Sequence, residues 1–377
     1  MQIYELKKQY FKHNLLKFNH IKIYFCWQLQ TMEFSKNLIQ WYLQNKRDLP
    51  WRNISDPYTI WLSEIMLQQT RVAQGLPYYL RFIDAFPSVF DLANASEEEV
   101  LKLWQGLGYY SRARNLHKTA KQVAFELNGE FPKTYTELLQ LKGVGEYTAA
   151  AIASFAYNEV VPVVDGNVFR VLSRYFDIET DISLATTKKE FIALAAALIP
   201  NYNPALFNQA IMEFGALQCV PKNPDCSSCI FNDSCLALQK KKVALLPVKS
   251  KKTKITHRHF NYLVFSDEKK NTLINKRTLK GIWHNLYEFP LIETEKLEDE
   301  ITVFEMIKNQ VFVKNTIQHI QLYNPESIVH KLSHQHLYIK FWKIKVAGNL
   351  VNGVDCESAR KMPFPVVVFD FISKDWV

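Results

Sequence analysis

Four cysteines, Cys219, Cys226, Cys229 and Cys235, fall within 17 residues, with six, two and five residues between successive members. Thiolates this close together can wrap one metal centre, either zinc or a [4Fe–4S] cluster. Tetrahedral zinc sites usually come as two CxxC-like pairs well apart in sequence. Here one CxxC, Cys226–Cys229, is flanked by single cysteines on longer arms, which suits a compact loop around a cubane. Pro221, Lys222, Asn223 and Pro224 stiffen the first arm and add a charge.

Two carboxylates stand out next. Glu64 interrupts the apolar run Ile60-Trp61-Leu62-Ser63 and Ile65-Met66-Leu67. A carboxyl among large apolar side chains has a raised pKa and can donate a proton near neutrality. The plainer alternative is an acid on the polar stripe of an amphipathic helix. Asp165 follows Val160–Val164 and precedes Gly166-Asn167-Val168-Phe169-Arg170, an N-cap position that opens a helix. The helix terminus is expected to keep that acid ionised, whether as a simple cap or as something more. As a pair, one acid poised to donate and one held anionic can break a glycosidic bond through an oxocarbenium-like state.

A third feature is Leu141-Lys142-Gly143-Val144-Gly145. It lies between a helical stretch, Tyr135–Leu141, and an Ala-rich helix, Thr148–Ala156. Such a hairpin brings bare backbone N–H groups against a phosphate, with a helix N-terminus behind them. Gly-x-Gly is also a common plain turn.

These residues need elements to hold them. From about 33 to 218 the pattern is helical. Ser96 with Glu97, Glu98 and Glu99 reads as an N-cap with acids in the first turn, Val100, Leu101, Leu103 and Trp104 supply a buried face, and Gly106 and Gly108 end the helix. Pro132 and Pro162 fall in connections. From Leu236 to Ser266 no acid occurs, while Lys240, Lys241, Lys242, Lys249, Lys251, Lys252, Lys254 and Arg258 supply eight positive charges. That stretch reads either as a solvated tether or as one lying along phosphates. Beyond 258, Tyr262 and Val264, then Trp342, Ile344 and Val346, alternate with their neighbours as half-buried strands do, around a helical stretch near Val303–Phe312. The tail of the chain is therefore a separate α+β domain.

Composition sets the outer bounds. The 377 residues suggest two or three domains, and 48% hydrophobic content excludes wholesale disorder. The net +9 suits a polyanionic partner without proving one. The longest apolar run, Phe191–Ile199, is half the length of a membrane-spanning helix. Bunched cysteines in a long chain favour a metal site in a reducing compartment over secreted disulfides. Residues 1–31 carry five lysines against one acid and read as a poorly ordered appendage. They are either a targeting segment or chain upstream of a true start at Met32.

The order carboxylate, hairpin, carboxylate, cysteine loop resembles the helix–hairpin–helix DNA glycosylases of the endonuclease III superfamily, and most closely the MutY-type adenine DNA glycosylases. The resemblance is carried by Leu49-Pro50-Trp51-Arg52, Ser63-Glu64-Ile65-Met66-Leu67-Gln68-Gln69-Thr70-Arg71, Gly106-Leu107-Gly108-Tyr109-Tyr110-Ser111-Arg112, Val164-Asp165-Gly166-Asn167-Val168 and the four cysteines. It covers about 33–235 strongly and 258–372 weakly. It implies a multidomain chain. An all-α helix–hairpin–helix glycosylase domain with an iron–sulfur loop (32–235) is joined by a basic linker (236–257) to a C-terminal α+β Nudix-like (MutT-like) domain (258–377). Gly281–Pro290 resembles the start of that module.

The resemblance also implies the chemistry. Adenine opposite 8-oxoguanine or guanine in double-stranded DNA is flipped out of the stack and its N-glycosidic bond hydrolysed. Glu64 is expected to protonate the base and Asp165 to stabilise the sugar cation, with Tyr147 and Asn167 in support. Trp51, Arg52, Gln209 and Glu213 match the adenine pocket. Gln69 and Tyr109 match residues that wedge into the stack, and Gly143 and Gly145 those of the phosphate-binding hairpin. Cys219, Cys226, Cys229 and Cys235 are expected to hold a [4Fe–4S] cluster. Bifunctional relatives carry a lysine two residues after the second hairpin glycine; here that residue is Tyr147, which cannot form a Schiff base. This argues against the nearest alternative, an endonuclease III-like glycosylase with AP lyase activity. Ser333 and His334 match a loop that meets the oxidised guanine, with Leu332 where the family has phenylalanine. His334 and His336 without a third ligand make no metal site, and without an acidic metal-binding helix no nucleotide hydrolysis is expected. The expected protein is a monomer of the bacterial cytoplasm, associated with the nucleoid.

Overall fold

The computed structural model describes residues 20–250, 254–296, 298–309 and 314–376, as backbone only up to residue 30. Residues 1–19 of the N-terminal appendage lie outside the described residues. From His20 the chain is helical, and α1 (His20–Asn45) runs through the boundary drawn at Met32.

The chain forms two compact units that do not follow its linear order. One comprises residues 20–69 and 119–250, the other 70–118 and 254–376. This differs from a division into one helical and one mixed domain, because a helical segment groups with the C-terminal sheet.

In the first unit, α2 (Pro57–Met66) is started by Asp56, whose side chain accepts hydrogen bonds from the Tyr58 and Thr59 N–H groups, with Pro57 at the first helical position. The helix is buried on most of its surface, including Glu64. The stretch 135–141 is helical only as far as Leu138, in α3 (Tyr135–Leu138), and then turns into the hairpin. The Ala-rich α4 (Glu146–Tyr157) buries Thr148 to Ser154. Its small side chains let it lie close against α2, which brings Tyr147 to Glu64.

Asp165 caps α5 (Gly166–Tyr175) by accepting from the Asn167 and Val168 N–H groups. With α6 (Ala185–Leu198) and α7 (Pro204–Leu217), α5 packs on α1 through Phe34, Leu38, Trp41, Phe191, Phe207 and Phe214. Phe231 of the cysteine loop stacks on Phe34 at 4.8 Å and so belongs to this core.

The basic stretch after the cysteines is neither a solvated tether nor free for phosphates over its first part. Ala237 and Leu246 are buried, the Arg174 guanidinium donates to the Leu246 carbonyl, and Ile182 N–H to that of Val248. Lys240 and Lys242 pair with Asp177. Local composition hid these acids, which lie some 60 residues earlier in the chain.

The second unit contains a mixed sheet. Strands β1 (Thr256–Ser266) and β2 (Gln335–Val346) run parallel in register from Thr256 opposite Gln335 to Ser266 opposite Lys345. Leu291–Thr294 adds antiparallel to β1, and Ile317–Leu322 and Ile328–Lys331 add antiparallel to β2. The expected alternation fails in β1, where Phe260 to Phe265 are all buried, and holds at the end of β2, where Trp342, Ile344 and Val346 are buried, Lys343 is half-buried and Lys345 is exposed. Val303 and Ile307 of the helix Glu300–Asn309 cover one face, and Phe371 of the helix Val366–Lys374 stacks on Phe341 at 4.3 Å on the other. Polar alternation fails as a guide when helices sit on both sides of a sheet.

The helical segment of this unit includes Glu97–Leu103, capped by Ser96 and Glu99 in a reciprocal capping box as the sequence signature predicts. Among the described residues no helix is long and apolar enough to cross a membrane.

Candidate active site

The two acids singled out in the sequence share one buried site in the first unit. Glu64 is only 7% exposed, and the Tyr147 hydroxyl donates to its Oε2 at 2.6 Å. Burial pushes the Glu64 carboxyl up. The Tyr147 bond and the charge of Arg52 pull it back, and the nearby Asp165 charge raises it further. Burial and the charges of Glu64 and Asp165 hold the Tyr147 phenol well above its ordinary value, so it stays a donor.

Asp165 receives three N–H donors: Asn167 N and Val168 N on Oδ1, and Asn167 Nδ2 on Oδ2, each at 2.8 Å. Even so, burial outweighs them and the charge of Arg170, and the carboxyl sits above its ordinary value. Burial thus opposes the helix terminus, which the sequence offered as the group that keeps this acid ionised. The asymmetry between the acids survives. Three donors on Asp165 against one on Glu64 favour the charged form more at Asp165, and the Asp165 charge raises Glu64.

Asn167 is fixed in turn. Arg170 donates through Nη2 to Asn167 Oδ1 and to the Gly215 carbonyl, both at 2.7 Å, and through Nε to the Cys219 carbonyl at 2.7 Å. Gly215 of α7 abuts Asn167 so closely that an added Cβ would lie 2.6 Å from Asn167 Cβ. Arg170 and Gly215 escaped the sequence reading. The available signals were a glycine inside a long helix pattern and Arg170 with Arg174 one turn apart on the helix that Asp165 opens.

Arg52, Gln209 and Glu213 also converge, through partners not foreseen. Arg52 donates to the Tyr42 hydroxyl at 2.9 Å and to Glu213 Oε2 at 2.8 Å, and Tyr42 donates to Gln209 Oε1 at 2.7 Å. Arg47 makes a bidentate pair with Glu213 at 2.7 Å on each oxygen. Burial pushes Glu213 up, but the two arginines outweigh it and hold the carboxylate below its ordinary range. Trp51 is buried beside this network in sequence.

At the hairpin, Gly143 has φ +75°, which favours glycine, and Gly145 is the N-cap of α4 with no side-chain cap. Lys142 is tied down by its backbone: its N–H donates to Gln122 Oε1 at 3.1 Å and its carbonyl accepts from the Thr119 hydroxyl. Gln69 is exposed with φ +56°. In the second unit Tyr109 is 45% exposed with φ +49°, and Ser333 and His334 are exposed and within hydrogen-bond distance of each other at 3.1 Å.

The four cysteines are half-buried and line one cavity, of about 440 Å³ with its open side included, together with Arg174, Tyr175 and Phe231. Arg174 reaches Cys219 Sγ at 3.4 Å and donates to the Val220 and Pro221 carbonyls at 2.8 and 3.0 Å. Burial pushes the Cys229 thiol up to about 11. Among the described residues no three His, Cys, Asp or Glu side chains close on a point the size of one ion.

Comparison with known proteins agrees with this layout. Residues 62–199 match the HhH-GPD superfamily of base excision DNA repair proteins, and residues 261–374 match the NUDIX domain. Adenine DNA glycosylase of Buchnera aphidicola subsp. Schizaphis graminum is 36% identical over 307 residues, 81% of this chain and 86% of that protein. Its Mus musculus namesake is 48% identical over 216 residues, 55% of this chain and 42% of that one. A solved thermostable thymine-DNA glycosylase is 30% identical, with a TM-score of 0.52, covering 56% of this chain and 97% of its own.

Fold and site together define a helix–hairpin–helix glycosylase of base excision repair, a hydrolase that works on DNA, with a C-terminal Nudix domain. Within that class the chain belongs to the MutY-type adenine DNA glycosylases. Enzymes of this kind typically bind a 4Fe–4S cluster.

Two variants probe the geometry. Gly215→Ala should displace Asn167 and lower single-turnover excision at least about tenfold, since small misplacements of a catalytic group cost up to about a hundredfold; a fully active Gly215→Ala would show that this close approach is immaterial. Glu64 is a raised-pKa acid, so the folded state binds more protons than the unfolded one between the unfolded value of 4.5 and the raised folded one. Its penalty is absent below 4.5 and grows as pH rises through the folded value. Glu64→Gln should therefore melt higher than the native chain at pH 8, the gap closing towards pH 4.5; equal melting curves at pH 8 would contradict a buried, strained carboxyl.

Proposed function

We propose that this protein hydrolyses the N-glycosidic bond of adenine mispaired with 8-oxoguanine or guanine in duplex DNA, without lyase activity. The observation that carries this reading is the grouping of buried Glu64 with half-buried Tyr147 and Asp165, with unequal donor sets on its two acids.

The adenine is drawn from the stack into the site, because its bond to the sugar is inaccessible within the duplex. Arg52, Gln209 and Glu213 meet its polar edge beside Trp51, already oriented by Tyr42 and Arg47. Protonated Glu64, aligned by Tyr147, gives its proton to a ring nitrogen of the base. The C1′–N9 bond breaks, its electron pair leaves with a now neutral adenine, and C1′ becomes an oxocarbenium centre. Ionised Asp165, held by Asn167 and the helix terminus, stabilises that cation. Water adds to C1′ and its proton recharges Glu64. Tyr147 offers no amine, so no Schiff base forms and the strand is left uncut.

Gly143 and Gly145 present backbone N–H groups to a phosphate, Gln69 and Tyr109 enter the stack, and Ser333 and His334 meet the opposite base. Leucine at 332 supplies no ring to stack.

Excision from duplexes carrying adenine opposite each base in turn tests the reading. Release opposite 8-oxoguanine and guanine, little opposite thymine, and loss of at least about a hundredfold in Glu64→Gln with duplex binding retained are expected. Release of another base, borohydride trapping of the protein on DNA, or a normally active Glu64→Gln would each overturn it.

We also assign the cavity lined by Cys219, Cys226, Cys229 and Cys235 to a [4Fe–4S] cluster. All four cysteines line this one cavity, and their spacing, with one CxxC flanked by single cysteines on longer arms, suits a compact loop around a cubane. When bound, such a cluster supplies a covalent knot that fixes the loop. The chain's own part is to fasten that loop to the core, through Phe231 and the Arg174 grip on the Val220 and Pro221 carbonyls. Purified protein should be yellow-brown with about four irons and four sulfides per chain; a colourless, zinc-replete protein would refute the assignment.

A further inference from the structure

Residues 70–118 are helical like the catalytic unit, but their polar contacts run to the C-terminal domain. Ser96 and Glu99 complete the cap of helix Glu97–Leu103 by themselves. Glu98 therefore takes no part in that cap. Its Oε1 instead accepts from the Tyr287 hydroxyl at 2.6 Å and from Lys276 at 2.8 Å. Both partners belong to the small hairpin Asn275–Lys276 and Tyr287–Glu288 of the Nudix domain.

A second fastening lies next to Tyr109. The Tyr110 hydroxyl accepts from the Gly106 N–H at 3.2 Å and donates to the Phe364 carbonyl at 3.3 Å. The Phe364 N–H donates to Gln105 Oε1 at 3.0 Å. Tyr109 itself has φ +49°, a conformation that a non-glycine residue keeps only where its surroundings over-determine it. Those surroundings are the Trp104 indole, which donates to the Gly108 carbonyl at 2.9 Å, and Tyr110. Burial pushes the Tyr110 phenol up to about 12, so it remains a donor throughout the working range.

We propose that Tyr110 and Glu98 are specificity-determining positioning residues, which fasten the exposed Tyr109 to the domain that carries Ser333 and His334. Neither touches the reacting atoms. Their effect is to make insertion of Tyr109 depend on whether the C-terminal domain has found its base, so part of the binding energy for 8-oxoguanine is realised as entry into the stack. The proposal rests on the reading above that Tyr109 enters the stack and that Ser333 and His334 meet the opposite base.

The test uses the full chain and single-turnover excision of adenine opposite 8-oxoguanine and opposite guanine. Tyr110→Phe keeps the ring and removes only the hydroxyl; Glu98→Ala removes the Tyr287 and Lys276 bonds and leaves those that join Lys102, Arg114 and Glu97 to Met362, His284 and Asn285. In the double variant the ratio of the two rates should fall about fivefold or more, through the 8-oxoguanine rate, while the rate opposite guanine stays within about twofold. Tyr110→Phe alone should move the ratio in the same direction, which keeps the test open if the double variant folds poorly. An unchanged ratio, or an equal fall of both rates with a lowered Tm, would overturn the proposal and leave these residues a purely structural role. Ser333→Ala with His334→Ala separates the two ideas. If that variant loses the preference while Tyr110→Phe/Glu98→Ala keeps it, only the coupling fails; if it keeps the preference too, the reading of the opposite base fails with it.

Discussion

The interaction on which the rest depends is the hydrogen bond from the Tyr147 hydroxyl to Glu64 inside a buried pocket. A carboxyl so placed is costly to ionise, and the phenol beside it fixes its orientation. The second acid is half-buried and holds three N–H donors. In the proposed mechanism that difference in surroundings, rather than any difference in kind, divides the labour between two carboxyls. Much of the helical unit serves that difference. The Ala-rich α4 carries Tyr147 against α2, and α5 carries its own cap, Asp165, with Asn167 one helical step on. Arg170 ties that step to α7 and to the first cysteine.

What was legible in the sequence was mostly what local chemistry decides. An N-cap bonds N–H groups two or three residues on, so Asp165 and Ser96 could be read as caps from their own neighbourhoods. The hairpin and the cysteine spacing are local for the same reason. Contacts across long separations were hidden. Arg47 and Tyr42 meet Glu213 and Gln209 over more than 160 residues, and nothing in the run Asn45-Lys46-Arg47-Asp48 distinguishes an arginine of the site from a surface one. The lysines after the cysteine loop looked unpaired because Asp177 is far off in sequence. Gly215 had a weak signal, a helix-disfavouring residue kept where alanine would serve the helix better.

At Asp165 one influence on the carboxyl was legible and another was not. Its place at a helix start was correctly read, and the field of that start does favour the charged form. Burial was not visible, and burial dominates. The C-terminal sheet repeats the lesson. Alternation along β1 suggested one wet face, but covering both faces there is a property of helices elsewhere in the chain; along Trp342–Val346 the alternation was read correctly.

The grouping of residues 70–118 with the C-terminal sheet has a temporal consequence. Tyr110 leaves the ribosome 254 residues ahead of Phe364, its hydrogen-bond partner. At about 5–20 residues per second that interval is roughly ten to fifty seconds. During synthesis this middle stretch must therefore stand without its final neighbours, although segments on either side of it already belong to the other unit. The parallel pair β1 and β2, separated by a long excursion, closes only once Gln335–Val346 has been made. Completion of this unit thus waits for Phe364, and the nascent chain exposes its unfinished middle for longer than a helix needs to form.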